Sequence, residues 1–481
     1  MKYFLDKELD NTYQSAVRVI ISAPVIVRPG ENFSVRISLL KANGYPDFDF
    51  EGELLVLDGA GIEGLPEKIG FTKNMEANQQ LNNIQIKNEG IYRFRIKKNN
   101  ENYFPSGNSN TIWCTADFPY KVYFGDLHVH SEVGKCGTPF MPKSPDFGYW
   151  YAKYIAGHDF CSITDHAHSC DKDDWQIIKD ATKKWNSPGD FLSILGYEGD
   201  YDGDDGGHFN IYYDGNDGEM RNFQMKAGGS LKEIFDFTKK NNAIAICHHS
   251  GRNTRGRDYS QSYFGGKKAE PCAEVISQWG SSETKNSQRP IRKFGHPDDC
   301  HYYDYAIRNG YRLGALGGSD NHATVPGGFV PMIYPQMGGK TQFEYPGAIT
   351  AVFAKSLSRK DIFEAIRERR CFASANDRLF MWLSHGNGEM GEEVKTETDK
   401  VDIKIISGNS PIREVHVMKN GELFQKYGSF GRDDGFDETK YVFNITLDEG
   451  RLTEAVSYYV KIIQSDGDIA ISSPIWLDPI K

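Results

Sequence analysis

The stretch Tyr123-Phe-Gly-Asp-Leu-His-Val-His-Ser131 decides the reading of this chain. Alternate residues of a strand point to one face. Leu127 and Val129 can therefore enter a core while His128 and His130 share the opposite side. Two neutral imidazoles side by side suit a divalent transition metal. An isolated His-x-His pair more often packs than ligates, so the rest of the chain has to decide.

Working outward, the segment from about 120 to 378 alternates strand-like and helical runs. Ser144-Pro145 reads as a helix start with Pro at its first position, and Ser230-x-x-Glu233 as a capping box before Leu231. Ser358-x-x-Asp361 opens a further helix with Ile362, Phe363 and Ile366 on one face. Such alternation predicts a mainly parallel α/β domain. Residues 1–119 and 379–481 instead show short alternating strands split by turns, such as Arg28-Pro-Gly-Glu31 and the Asn420-Gly421 hairpin, and read as two β-sandwiches.

Metal-binding residue types gather at the C-terminal ends of the strand-like runs in the middle segment. These are Asp126, His128 and His130; Asp165-His166; Glu198; His248-His249; Gln278, Trp279 and Glu283; and Asp320 with His322. Only His208 breaks the pattern, because it precedes its apolar run. In β/α barrels the active site is assembled from strand C-termini, so this set is what a barrel metal centre requires.

Composition narrows the classes. A chain of 481 residues with 39% hydrophobic and 25% charged content is ordinary for a globular protein of two to four domains. A net charge of −10 argues against a general nucleic-acid binder. The N-terminus lacks the apolar core of a secretory signal, and the longest apolar stretch, Ala16 to Val27, is broken by Arg18 and Pro24. Eight scattered cysteines suggest free thiols in a reducing cytoplasm. No membrane partner is expected.

Gly125-Asp-Leu-His-Val-His-Ser131, Ile163-Thr-Asp-His166, Glu198, His208, His248 and Gly318-Ser-Asp-Asn-His322 follow, in order, a series that resembles the polymerase-and-histidinol-phosphatase (PHP) superfamily. The flanked long form looks like the uncharacterised DUF3604 group and related carbamate-hydrolase-like proteins. Arg369-Arg-Cys-Phe-Ala-Ser374 and Ser472-Ser-Pro-Ile-Trp476 resemble that group less specifically. The resemblance implies a distorted (β/α)7 barrel between Ig-like sandwiches, holding two or three divalent ions (Zn, Mn or Fe). His128, His130, Glu198 and Asp320 would hold one ion, and Glu198, His208 and His248 a second. His166 and His322 would bind a third, whose further family ligand falls at Cys136, with Glu132 also in reach.

The chemistry follows without the name. A bridging carboxylate such as Glu198 suits two adjacent cations, which together activate a hydroxide for attack on an ester. Asp126 and Asp165 are candidate acceptors orienting the ligand histidines, with a helix N-cap as the alternative for Asp165. His249 is a candidate acid/base group or substrate contact, or a satisfied loop histidine. Arg252, Arg255 and Arg257 could grip an anionic substrate, although a solvated basic loop is the commoner explanation for such a run. His168 reads as a surface or outer position, and Glu283 as a substrate or outer contact or a helix cap. His158, His296, His301, His385 and His416 read as structural or exposed. Asp200 to Asp205 reads as a loop over the barrel mouth, not an EF-hand.

The expected activity is therefore hydrolysis of a small-molecule ester, first a phosphoester, with a carboxyl ester or carbamate as the alternative. A metal-free, non-catalytic binding protein is the competing class. On this reading Glu198, His249 and Arg252 do the catalytic work.

Overall fold

The structure is a computed structural model that describes residues 16–98, 106–135, 143–199, 206–221, 231–260, 263–291, 294–329, 345–428 and 441–480. It is a mixed α/β fold in which a near-closed, seven-stranded barrel sheet is joined by further β-sheets. The barrel strands are Lys121–Val129, Phe160–Ile163, Leu192–Gly199, His208–Tyr213, Ala243–His248, Cys272–Ser277 and Gly314–Gly317. The third is buried along its whole length, as expected where both faces of a sheet are covered.

The barrel is not uniformly parallel. The first three strands run parallel to one another, as do the last three. The fourth, His208–Tyr213, is antiparallel to both the third and the fifth. This reversal explains the one residue that broke the strand-end pattern. His208 begins its strand, but an antiparallel strand begins at the end where its neighbours finish, so His208 lies opposite His248. The barrel closes through the loop after the seventh strand: Asp320 N donates to His128 O at 2.9 Å, and His130 N donates to Asn321 O at 2.9 Å.

Helices cover the barrel where the caps predict them. Ser144 Oγ accepts from Phe147 N at the head of Pro145–Trp150, and Ser358 Oγ accepts from Asp361 N at the head of Arg359–Arg367. Helix Leu231–Lys240 follows Ser230, which lies outside the described residues. Two helices were not anticipated, Lys172–Trp185 and the short Tyr303–Arg308. Lys172–Trp185 opens on an acidic capping box, Asp171 with Asp174, and buries Trp175, Ile178 and Ala181. Asp replaces the usual Glu in that signature, yet Asp171 still accepts two backbone amides.

The barrel sheet continues outward through Ile349–Ala354 and Cys371–Ser374 into Ile469–Ser472, Val456–Gln464, Ile412–Lys419 and Glu422–Tyr427. A four-stranded sheet containing Phe380–His385, Thr398–Ile406 and Val442–Arg451 contributes to the same core, where Leu383, Ile403, Val417 and Ile462 meet Phe124 and Phe353. The N-terminal strands form a seven-stranded and a three-stranded sheet around a separate core containing Val35, Ile37 and Ile96. Among the described residues no helix is long and apolar enough to cross a membrane.

Candidate metal centre

Strand geometry delivers the side chains. His128 and His130 project from the same side of the first strand with ring centroids 5.2 Å apart. The neighbouring strand ends bring His248 to 4.3 Å from His128, and His166 and His322 to 4.6 and 4.1 Å from His130. His128, His130, His208, His248, Glu198 and Asp320 are all at most 2% exposed. Asp320 (φ +54°) and His249 (φ +36°) adopt left-handed backbone, a strained conformation that concentrates at functional sites.

Glu198 lies at the centre. Its Oε2 is 3.3 Å from His128 Nε2, 3.2 Å from His130 Nε2 and 3.4 Å from His166 Nδ1. Its Oε1 is 2.6 Å from His208 Nδ1 and 3.2 Å from His248 Nε2. One carboxylate thus addresses two separate sets of imidazoles. Ligand-type atoms converge within 4.8 Å in four overlapping groups: His128, His130, Glu198 and Asp320; Glu198, His208, His248 and His249; His130, His166 and His322; and His128, His248 and Glu274. Nitrogen and carboxylate donors in this mixture suit divalent metal ions. The residues fit a polynuclear divalent centre.

The electrostatics show how far these groups depend on one another. Burial opposes charge on His128, yet Asp320, Glu274 and Glu198 hold its pKa well above the ordinary value. Burial likewise opposes ionisation of Glu198 and Asp320, but the surrounding imidazoles keep both well below the usual carboxylate range. Burial pushes His248 down to about 4 and His322 down to about 3. His248 and His322 are thus neutral, as metal ligation requires, whereas His128 is held protonated by the carboxylates around it in the absence of a cation.

Glu274 was missed by sequence reasoning. It sits in the sixth strand and hydrogen-bonds His128 Nδ1 at 3.0 Å, with burial raising its pKa to about 7. A ligating histidine is normally held this way through its other nitrogen. The available signal was a carboxylate inside the apolar run Ala273-Glu-Val-Ile.

Asp126 and Asp165 are anchored by backbone amides and a serine hydroxyl. Asp126 accepts backbone amides from His128 (3.0 Å), Ser319 (3.0 Å) and Gly327 (2.7 Å), joining the first strand to the closing loop. Asp165 accepts from Ser131 N at 2.6 Å and Ser131 Oγ at 2.5 Å, so it is not a helix cap. Trp279 Nε1 donates to Asp320 Oδ2 at 2.5 Å.

A cleft of about 330 Å³ opens onto the cluster, and His249, Arg252, Arg255, His168 and Lys135 contribute to its wall. Arg252 stacks over Trp279 at 3.9 Å, with Nη1 3.5 Å from His249 Nε2. Arg257 turns away, buried in an ion pair with Glu270 among Phe209, Tyr259 and Tyr311. The arginine run is therefore split between the cleft and the core. Glu283 is a structural anion, 3.0 Å from Tyr459 OH and 2.7 Å from Lys461 Nζ. Glu132 is exposed and joins none of the groups. Cys136 and Asp200 to Asp205 lie outside the described residues. A larger crevice of about 540 Å³, bordered by Arg18, His158, Arg378 and Asp468, shares no residue with the cluster.

No family model matches the chain. It is 23% identical over 428 residues to an uncharacterized protein of Chlamydia pneumoniae, covering 83% of this chain and 64% of the relative. It is 24% identical over 260 residues to an uncharacterized protein of Chlamydia muridarum, covering 52% and 40%. The chain therefore spans less than two-thirds of the length of these curated relatives. Among solved structures, it is similar to a two-domain Bacteroides vulgatus protein described as containing a predicted PHP-like metal-dependent phosphoesterase. That likeness is 16% identical and covers 75% of this chain and 96% of the other, with a TM-score of 0.37. A Bacteroides uniformis β-glucuronidase matches at 10% identity and a TM-score of 0.21, covering 96% and 61%. Superpositions this loose assign no chemistry, and the reading of the site rests on its own residues.

Proposed function

We propose that this chain is a metal-dependent hydrolase of the PHP superfamily, of the DUF3604-like form, acting on small-molecule phosphoesters. In this reading His128, His130, Glu198 and Asp320 hold one divalent ion, and Glu198, His208 and His248 a second. His166 and His322 serve a third, with Cys136 as its further ligand. Residues 1–119 and 379–481 are the flanking Ig-like domains. The carrying observation is the two-sided environment of Glu198, whose oxygens face separate groups of buried imidazoles. A pair of such ions supplies an activated water and polarises the ester oxygen.

The protein's own groups do the rest. Glu198 keeps the two halves of the site in fixed register. Glu274 fixes the His128 ring through Nδ1. Arg252, held flat against Trp279, offers a planar guanidinium to an anionic substrate. His249 borders the cleft, and its Nδ1 has no hydrogen-bond partner. Burial, with His248 and Arg252 beside it, holds its pKa well below the ordinary value, so we assign this neutral imidazole a substrate contact. The cationic wall of Arg252, Arg255 and Lys135 favours a phosphoester over a neutral ester.

The test is a screen of metal-reconstituted protein against phosphomonoesters, phosphodiesters, carboxyl esters and carbamates. Phosphoester turnover that disappears in His130→Ala is the expected result. Faster turnover of carbamates or carboxyl esters would replace the substrate assignment. Less than one bound equivalent of Zn, Mn or Fe under metal-replete conditions would remove the enzyme reading altogether.

A further inference from the structure

Another set of metal-ligating side chains converges away from the barrel mouth. Asp258, Cys300 and His301 bring a carboxylate oxygen, a sulfur and a ring nitrogen within 4.8 Å of one another. Asp258 ends the arginine-bearing loop after the fifth strand, and Cys300 and His301 lie in the short turn Asp299–His301. All three are half-buried.

His301 Nδ1 is buried with no hydrogen-bond partner, which leaves a ring nitrogen open to a ligand. Asp258 Oδ1 accepts from Ser260 N at 2.8 Å and Ser260 Oγ at 2.7 Å. His296 stacks on His301 with ring centroids 3.5 Å apart, and its Nδ1 accepts the Asp298 amide at 3.0 Å.

We propose that Asp258, Cys300 and His301 form a separate, mononuclear site for a zinc-class transition metal. One sulfur, one nitrogen and one oxygen donor suit a borderline-soft cation and not Ca or Mg. Binding displaces the thiol proton to solvent, so one proton leaves for each ion bound and no redox change occurs. Three protein ligands leave one tetrahedral position to water.

The location gives the site a role. The two segments it joins are already tied by Asn253 N to Phe294 O (2.6 Å), His296 N to Gly251 O (2.7 Å) and Tyr259 N to Cys300 O (2.9 Å). An ion here adds a cross-link beneath the segment that carries Arg252 and Arg255 to the cleft. The site shares no residue with the barrel-mouth cluster and does not depend on the hydrolase reading.

The test loads the full-length chain with Co(II), counts metal by elemental analysis and follows thiolate-to-cobalt charge-transfer absorption. In a Cys136→Ser background, Cys300→Ser should bind one equivalent fewer than its parent and lose the band. Cys136→Ser and His130→Ala should keep the band, which separates this site from the barrel mouth. His301→Gln provides a second count if Cys300→Ser does not fold, and should also fall by one equivalent. An unchanged count and band on adding Cys300→Ser to the Cys136→Ser chain, or an unchanged count in His301→Gln, would overturn the proposal.

Discussion

At the barrel mouth, Glu198 and Asp320 are buried among imidazoles that all approach one another. At the seam between the barrel and the C-terminal strands, Glu283 is buried against one lysine and one tyrosine. Arg257 and Glu270 repeat the second arrangement inside the barrel wall. In the seam each charge has a dedicated opposite charge, so the protein itself completes the electrostatics. At the mouth, several imidazoles share the same two carboxylates instead of each taking its own partner. Burial of charge is common to both regions; convergence of many ligand-type atoms on one carboxylate is what marks a site.

The sharpest way to break this comparison is Glu198→Gln. Catalysis and metal content should both collapse, with turnover falling by more than the roughly 100-fold expected for an outer partner. Retained turnover, together with a full metal complement by elemental analysis, would show that the central carboxylate is only structural.

Lys461→Met makes the reciprocal test in the seam. It strands the Glu283 carboxylate, and denaturant unfolding should show a loss of about 3–5 kcal/mol. Turnover per folded molecule should stay at the parent level.

Asp377 is a third kind of buried carboxylate, held by the amides of Asn409 and Gln464 without a cation in hydrogen-bond contact. Burial pushes its pKa from the usual 3.8 up to about 6. Between those values the folded chain binds the proton that the unfolded chain has lost, so its contribution to stability falls as pH rises through that window. The full change is about 3 kcal/mol. Asp377→Asn should be progressively more stable than the parent between pH 4 and pH 7 by thermal unfolding. A constant difference across that range would contradict the assignment.

Glu274→Gln should lower metal affinity or turnover by about 10- to 100-fold, because it loosens the His128 ring without deleting a proposed ligand. Arg252→Lys should give the smallest effect, a rise in KM of about tenfold with little change in kcat. A larger fall in kcat than in affinity would move Arg252 from substrate binding to the chemical step.

Much of the site could be read from residue type and position. His128, His130, Glu198, His248 and Asp320 close apolar runs, and strand ends are where a barrel exposes polar groups. His208 looked anomalous only because strand direction is not written in a single run. Pairing with Glu198 on one side and His248 on the other reverses it. Glu274 was hidden because a charged residue within a strand reads equally well as an outward face. Arg252 and Arg257 share one loop and one chemistry, yet Arg257 is drawn into the core by Glu270 and a ring of aromatics.

The sequence by itself determined the local structure: alternating strands, caps at Ser144 and Ser358, and the order of metal-binding residue types along the chain. Those features depend on neighbours a few residues apart. Only the tertiary structure decided which of these groups meet. It brought residues from different strand ends around both oxygens of Glu198, paired Glu283 with Lys461, and joined Asp258 to Cys300 and His301. Each depends on contacts between distant segments, which form only when the sheets pack and exclude water from the charges between them.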